Sequence, residues 1–244
     1  MSLPWREKLS MLLPPSVFYR RRIDYETATG EPELALLDKL MRHGATAVDI
    51  GANQGFFAFA LAELSRRVVC FEPNPDYARF ARWMLRGRAE VHAVALADKT
   101  ARANFYVPHS DEGLVLHLAG SLKRAHHHFK TIESYEVEVR TLDDFALTDV
   151  SFIKLDVEGS ERDVLEGARA TIARERPPLL IELLSGTHDD PGALTAEICR
   201  DFDYEAFLVH KGETIPALPA IAALGKNTSW GTEIETRNVL FVAN

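Results

Sequence analysis

Ala47-Val48-Asp49-Ile50-Gly51-Ala52-Asn53-Gln54-Gly55 and, a little further on, Val68-Val69-Cys70-Phe71-Glu72 decide how this chain folds. The first apolar run carries an acid and breaks into a small-residue loop. An amphipathic segment follows, with Phe57, Ala60, Leu61 and Leu64 on one helical face. The second apolar run ends in Glu72, 21 positions beyond Gly51. This is the layout of a βαβ unit with a ligand at the strand ends. Glycines allow a tight turn and close backbone approach, helix N–H groups suit an anionic group, and the distant acid suits a ribose diol.

The spacing separates one nucleotide class from another. A dinucleotide fingerprint reads G-x-G-x-x-G, and its middle glycine lets a pyrophosphate lie against the backbone. Asn53 occupies that middle place, so Gly51 and Gly55 leave only G-x-x-x-G. A cofactor with one carboxylate and one ribose suits this loop better than a pyrophosphate, and S-adenosylmethionine is the obvious candidate. Glycine pairs alone are ordinary turn formers; the loop, Glu72 and the βαβ context carry the reading together.

The 244 residues are 46% hydrophobic and 26% charged, as in soluble globular proteins. With 28 basic against 36 acidic side chains the net charge is −8, which argues against nucleic-acid backbones as partners, since these need a basic face. Cys70 and Cys199 form neither a disulfide framework nor a zinc spacing, and a reducing cytoplasm is the default compartment. Near the start, Trp5, Leu9, Met11, Leu12 and Leu13 are interrupted by Arg6, Glu7 and Lys8 and followed by Pro14-Pro15. That is neither a signal-peptide core nor a membrane span. Residues 1–43 are expected to pack on the domain as an extension, lid or dimer arm, and residues 1–22 to wall the acceptor pocket without building the core. Arg20-Arg21-Arg22 would face an anionic surface or substrate, and a homodimer is left open. Residues 44–244 then form a single domain.

The remaining rhythm places helices over residues 33–43, 56–64, 75–85 and 191–202. Strands fall over 47–50, 68–72, 91–96, 152–156, 179–182, 205–209 and 239–242. Glu158-Gly159 turns the chain into a helix carrying Val164, Leu165, Ala168 and Ile172. Strands over 103–107 and 135–140 flank a polar stretch with Gly113, Gly120-Ser121 and His126-His127-His128. This stretch reads as an insertion over the strand ends that shapes a substrate pocket. Alternating strands and helices imply a mainly parallel sheet with right-handed crossovers.

Asp49, Glu72, Asp156 and Glu182 all fall at strand ends, where such sheets bind ligands. Four acids around one rim favour a cationic ligand, and a sulfonium is a cation. Lys154 and Asp156 are two apart on one strand and share a side of the sheet. A buried lysine needs a partner, which Asp156 or Glu182 supplies. A structural ion pair explains Lys154 as well as a catalytic role does. Methyl transfer from a sulfonium depends mostly on alignment, which lowers a barrier by roughly 7–11 kcal/mol at near-attack geometry. A base for an alcohol acceptor adds about a hundredfold or more, and Asp156, Glu158, Glu182 and His188 are the candidates. Asp156, Glu158 and Glu182 also offer the oxygen ligands that Mg²⁺ takes. Acid clustering alone favours that alternative, so no metal is assigned.

Three segments together resemble the FkbM family of S-adenosylmethionine-dependent methyltransferases. They are Val48-Asp49-Ile50-Gly51-Ala52-Asn53-Gln54-Gly55, Cys70-Phe71-Glu72-Pro73-Asn74-Pro75 and Ile153-Lys154-Leu155-Asp156-Val157-Glu158-Gly159-Ser160-Glu161. The third is the most family-specific. Ala95-Leu96-Ala97-Asp98, Gly120-Ser121-Leu122, Thr141-Leu142-Asp143-Asp144, Ile181-Glu182 and Asn238-Val239-Leu240-Phe241 support it, in the expected order. The resemblance implies an α/β, Rossmann-like class I methyltransferase fold. Its sheet would have seven mainly parallel strands flanked by helices, the last strand antiparallel. It also implies O-methylation, with hydroxyls of sugars, glycolipids or polyketide-type natural products as acceptors. Gly51, Asn53 and Gly55 would meet the methionine part of the cofactor, Glu72 its ribose and Leu96 its adenine, with Asn74 close by. Asp49 and Asp156 complete that cofactor-facing set, and Asp156 and Glu158 would face the reaction centre. Two other classes share the βαβ unit. A nicotinamide-dependent oxidoreductase would need the missing three-glycine fingerprint. A non-catalytic Rossmann-like binding scaffold would not need an intact loop and Glu72.

Overall fold

The computed structural model describes residues 13–109, 120–122, 131–184, 188, 190–224 and 236–244. Helix α1 (Pro15–Thr29) and a 3₁₀ turn at Pro32–Leu36, running into the one-turn α2 (Leu37–Leu40), lead to β1 (Thr46–Ile50). The alternation follows with α3 (Phe56–Ala62), β2 (Arg67–Phe71), α4 (Pro75–Met84) and β3 (Glu90–His92). Three strands depart from it, β4 (Ala95–Leu96), β5 (Ala101–His109) and β6 (Thr131–Arg140). It resumes through β7 (Val150–Leu155), α5 (Glu161–Glu166), α6 (Arg169–Glu175), β8 (Leu179–Glu182), α7 (Pro191–Phe202) and β9 (Tyr204–His210). The last elements are β10 (Glu213–Pro216), α8 (Ala217–Leu224) and β11 (Asn238–Ala243).

The main sheet has the order β10-β9-β11-β8-β7-β1-β2-β3. Neighbours from β3 to β8 pair in parallel, and β11 enters antiparallel between β8 and β9. Four corrections to the expected layout have local causes. An eighth strand is present because Lys211 and Gly212 both take positive φ (50° and 79°), the two-residue turn whose twist fits a hairpin. The strand expected over 91–96 breaks after His92, and β4 instead pairs with β6 in a separate three-stranded sheet, β4-β6-β5. The helix expected over 33–43 begins as a 3₁₀ turn, where Glu31 and Glu33 reach back to Asn238 and Thr236. The helix after Glu158 is two helices. They part at Gly167, where a Cβ would stand 2.0 Å from the Ala97 carbonyl oxygen.

Strand alternation sorts the core into two faces. Val48, Ile50, Val69, Phe71, Ile153 and Leu155 pack against Val164, Leu165 and Ile172. Ala47, Val68, Cys70, Phe152, Leu180 and Leu240 pack against Phe57, Phe59, Phe80 and Tyr19. Burying each of these large side chains is worth about 1.5–3 kcal/mol. Tyr19 corrects one expectation, that residues 1–22 lie over the core without entering it. It is fully buried, stacks on Phe59 at 4.8 Å between ring centres, and donates its hydroxyl to the Gln54 carbonyl at 2.6 Å.

Candidate functional site

The second face turns polar where the strands end. Asp49 continues the alternation of Ala47, Lys154 that of Phe152, Glu182 that of Leu180, and Asn238 that of Leu240. Asp49 pairs in register with Lys154, and Glu182 with Asn238. Polar residues therefore occupy this face at the ends of β1, β7, β8 and β11, with Lys154 level with Leu180 and the Glu182–Asn238 pair two residues further along. Among them Lys154 is buried, its Nζ 5.5 Å from the centre of the Phe57 ring. Nζ donates to Asn238 Oδ1 at 3.0 Å and stands 3.9 Å from Asp156 Oδ2. Asn238 in turn donates to Glu31 and, at 3.3 Å, to Glu33, which also accepts the Thr236 hydroxyl. Burial works against the lysine's charge, but Asp156, Glu31, Glu182 and Asp49 outweigh it and raise its pKa. Of the two partners expected for it, Asp156 is the near one; the direct hydrogen bond goes to Asn238.

The glycine loop is shaped by protein neighbours. Gly51 has φ 80°, and a Cβ there would lie 1.7 Å from the Asp156 carbonyl oxygen, so the end of β7 excludes any side chain. Gly55 has φ 81° and faces Leu85. Asn53 also takes positive φ (50°), which aims its N–H at Glu72 Oε2, 2.7 Å away. The Asn74 N–H donates to Glu72 Oε1 at 2.8 Å. Burial lifts the Glu72 pKa to about 7, against the lowering effect of these two donors. The Asn74 side chain is occupied as the cap of α4, accepting the Asp76 N–H at 3.0 Å. Asp49 is buried too, its pKa raised to about 7 by desolvation in spite of Lys154. Asp49 Oδ2 and Asn53 Oδ1 are buried with no hydrogen-bond partner among the described residues.

Two cavities open on these groups. The first holds about 570 Å³ of space open to solvent. It is lined by Gly51, Asn53, Glu72, Asp156 and Glu158, with Ile50, Phe71, Val94, Leu96 and Phe105 as an apolar wall. The second, about 700 Å³, shares Gly51, Asn53, Asp156 and Glu158 and adds Arg22, Glu26, Glu31, Asp49, Phe56, Lys154, Glu182 and Arg237. The two meet at Asp156 and Glu158. Burial, then Asp156, raises the pKa of Glu158 and of Glu182. Glu158 sits at φ 55°, a conformation that costs a non-glycine residue about 1–3 kcal/mol. Ser121 Oγ holds its carbonyl at 2.8 Å.

Most of the expected site residues are thus brought together. His188 is not: its Nε2 lies 2.8 Å from Glu161, and it lines neither cavity. Of the insertion, Gly120 and Leu122 line the first cavity; Gly113 and His126-His127-His128 lie outside the described residues. Arg22, from the arginine run expected to face an anionic surface or substrate, lines the second cavity, whereas Glu26, Glu31 and Arg237 went unnoticed as site residues. They belong to no local motif and reach the rim only through packing of α1 and the approach to β11.

No helix among the described residues is long and apolar enough to cross a membrane. The chain is 29% identical over 144 residues to the 2-O-methyltransferase NoeI of Sinorhizobium fredii, a match covering 53% of this chain and 59% of that protein. The crystal structure of methyltransferase FkbM from Methylobacillus flagellatus superposes with a TM-score of 0.55 at 21% identity, over 90% of this chain and 50% of that one. The chain thus spans between half and three-fifths of the length of these two relatives. The fold is the Rossmann-like class I methyltransferase fold. The methyltransferase FkbM domain matches residues 49–206, a span that holds the glycine loop, Glu72, Asp156, Glu158 and Glu182, and the chain belongs to that family.

Proposed function

We propose that the chain is an S-adenosylmethionine-dependent methyltransferase that methylates a hydroxyl of a polar acceptor of the sugar, glycolipid or natural-product kind. The observation that carries this reading is the meeting of two cavities at Asp156 and Glu158. The first cavity has the donor set the cofactor needs. Glu72 keeps acceptor capacity for a ribose diol beyond its two backbone donors. The orphan oxygen of Asn53, which lines both cavities, and that of Asp49, which lines the second, lack the donors that an ammonium group would provide. Leu96, Val94 and Phe105 offer an apolar wall to a base. When bound, the cofactor supplies an electrophilic methyl group on a sulfonium.

The chain's own contribution is alignment and proton handling. The second cavity takes the acceptor, with Phe56 and the acids on its walls. Residues 1–43 form one side of it through Arg22, Glu26 and Glu31, and residues 44–244 are the transferase domain. Asp156 and Glu158 orient the acceptor hydroxyl and take its proton; Glu158, whose pKa burial and then Asp156 raise, is well matched to that task. Lys154 holds Asp156 in place from beneath. The curated relative's name, a 2-O-methyltransferase, supports a hydroxyl acceptor.

Calorimetry with S-adenosylhomocysteine and with NAD tests the cofactor, and the expected result is binding of the first alone. Methyl-labelled cofactor presented to a panel of glycans and polyol metabolites then identifies the acceptor. With it, Asp156→Asn and Glu158→Gln should lower single-turnover rates about a hundredfold or more with melting temperature little changed. Residues that merely cap a helix would cost about 1 kcal/mol of stability and leave turnover per folded molecule unaffected. Parent rates in both variants would move the base to Glu182.

A further inference from the structure

Ser160 ends the turn between β7 and α5. It is 1% exposed and lines the first cavity. A serine that precedes a helix ordinarily accepts an N–H from the first turn, yet Ser160 makes no such bond. Its Oγ has no hydrogen-bond partner among the described residues. Buried hydroxyls in native structures are nearly always hydrogen-bonded, so this one is short of a partner that a ligand would supply. The rest of the cavity narrows the choice of ligand group. Glu72, Asp156 and Glu158 are acids, and among the described lining residues only Asn53 and Ser160 are polar without charge. Asn53 lines both cavities, whereas Ser160 lines the first alone. Ser160 is thereby set apart from the acceptor side. It shares its cavity with the apolar wall of Val94, Leu96 and Phe105. Gly167, which follows α5, lies against the Ala97 carbonyl, so α5 is packed on the segment that supplies Leu96.

We propose that Ser160 reads the adenine of the cofactor: its hydroxyl hydrogen-bonds one edge of the purine and sets the preference for that base. This inference rests on the transferase reading. An apolar wall holds any flat ring by contact and says little about which ring it is. The polar atoms an adenine presents are its ring nitrogens, which accept, and its 6-amino group, which donates. A hydroxyl does both, and it turns about a single bond among three staggered positions, so one serine serves either kind of edge. Glu72 faces the ribose and the acids at the cavity junction face the reacting end, which leaves Ser160 as the uncharged group for the base. A ring that cannot answer the hydroxyl leaves it buried and unpaired, and a site built around a hydrogen bond rejects such a ligand.

The test measures binding of S-adenosylhomocysteine to the full chain by calorimetry, beside its 1-deaza, 3-deaza and 7-deaza analogues and the analogue without the 6-amino group. Ser160→Ala is measured with the same ligands. In the parent, one analogue should bind about 2–10-fold more weakly than S-adenosylhomocysteine, the worth of a single hydrogen bond. Ser160→Ala should weaken S-adenosylhomocysteine by a similar factor and bind that same analogue no more weakly than S-adenosylhomocysteine itself. Loss of this discrimination is a coupling between one side chain and one ligand atom, which a serine of purely structural value would not produce. If the alanine variant does not fold, Ser160→Gly removes the hydroxyl equally. Equal affinity of the parent for every ligand overturns the proposal, and so does the same discrimination in parent and folded variant. If S-adenosylhomocysteine binds and only the discrimination is missing, the transferase reading stands without this role for Ser160; if S-adenosylhomocysteine itself fails to bind the parent, that reading falls first and takes this one with it.

Discussion

Replacing Glu72 with alanine separates two duties that one carboxylate performs. Its oxygens accept the Asn53 and Asn74 N–H groups at 2.7 and 2.8 Å and keep capacity for two ribose hydroxyls. Two hydrogen bonds to a charged acceptor are worth about 1.5–3 kcal/mol each, so about 3–6 kcal/mol of cofactor affinity should vanish. That is about 10²–10⁴-fold in Kd. The effect on stability is a contest. Two buried N–H groups lose their acceptor, at about 1–3 kcal/mol each. Against this, the variant no longer buries a charge whose pKa is displaced from 4.5 to about 7, a relief of about 3 kcal/mol above neutrality. Binding should therefore suffer more than folding. Calorimetry with S-adenosylhomocysteine at pH 8, alongside circular dichroism to confirm the fold, measures both. The parent protein should also lose affinity as pH falls through about 7 and the Glu72 carboxylate protonates, an inflection absent from the variant. A folded Glu72→Ala protein with parental affinity would place the ribose elsewhere and refute the site.

Gly51→Ala forces a Cβ towards the Asp156 carbonyl at a φ of 80°; strain alone costs about 1–3 kcal/mol, and thermal melting should show a larger loss. Tyr19→Phe leaves the Gln54 carbonyl without its donor and should cost about 1 kcal/mol in denaturant titration, whereas Tyr19→Ala should cost about 3–5 kcal/mol; no loss in either would return α1 to the role of a loose cover. Glu33, Asp49 and Glu72 all have folded pKa values raised to about 7, mainly by burial. The native state thus binds more protons than the unfolded one, so their contribution is complete below the ordinary carboxylate range and is lost as pH rises through about 7. The cofactor-free chain should melt at a lower temperature at pH 8 than at pH 6; the reverse order would show that these acids are not buried as described.

The part of the site made by neighbours in sequence is legible before folding. An apolar run, a small-residue loop and a strand-terminal acid place Asp49, Gly51, Asn53 and Glu72 with no tertiary knowledge, because strand alternation and turn chemistry act over a few residues. Lys154 and Asp156 are legible for the same reason. What escapes is set by packing between distant segments. Nothing in Thr236-x-Asn238 announces that its side chains will meet Glu31 and Glu33 around a buried lysine. His188 shows the opposite failure: its chemistry suits a base, yet Glu161 claims it. The break between β3 and β4 is likewise invisible locally, since Val91 to Leu96 is apolar enough for one strand and only pairing with β6 divides it.

The position of β11 bears on how the molecule comes to be folded. Lys154 donates its hydrogen bond to a residue 84 positions later, which in turn holds a carboxylate 207 positions earlier. Contacts of such separation raise contact order and slow folding, because the entropy of closing the chain is lost before the contact forms. β11 also has to enter between β8 and β9. Until it docks, an ammonium group on β7 faces Phe57 without its amide partner. Assembly of this polar rim is thereby tied to completion of the sheet. A chain that has secured β1, β2 and the glycine loop early still lacks the settled wall of the second cavity until its most non-local strand arrives.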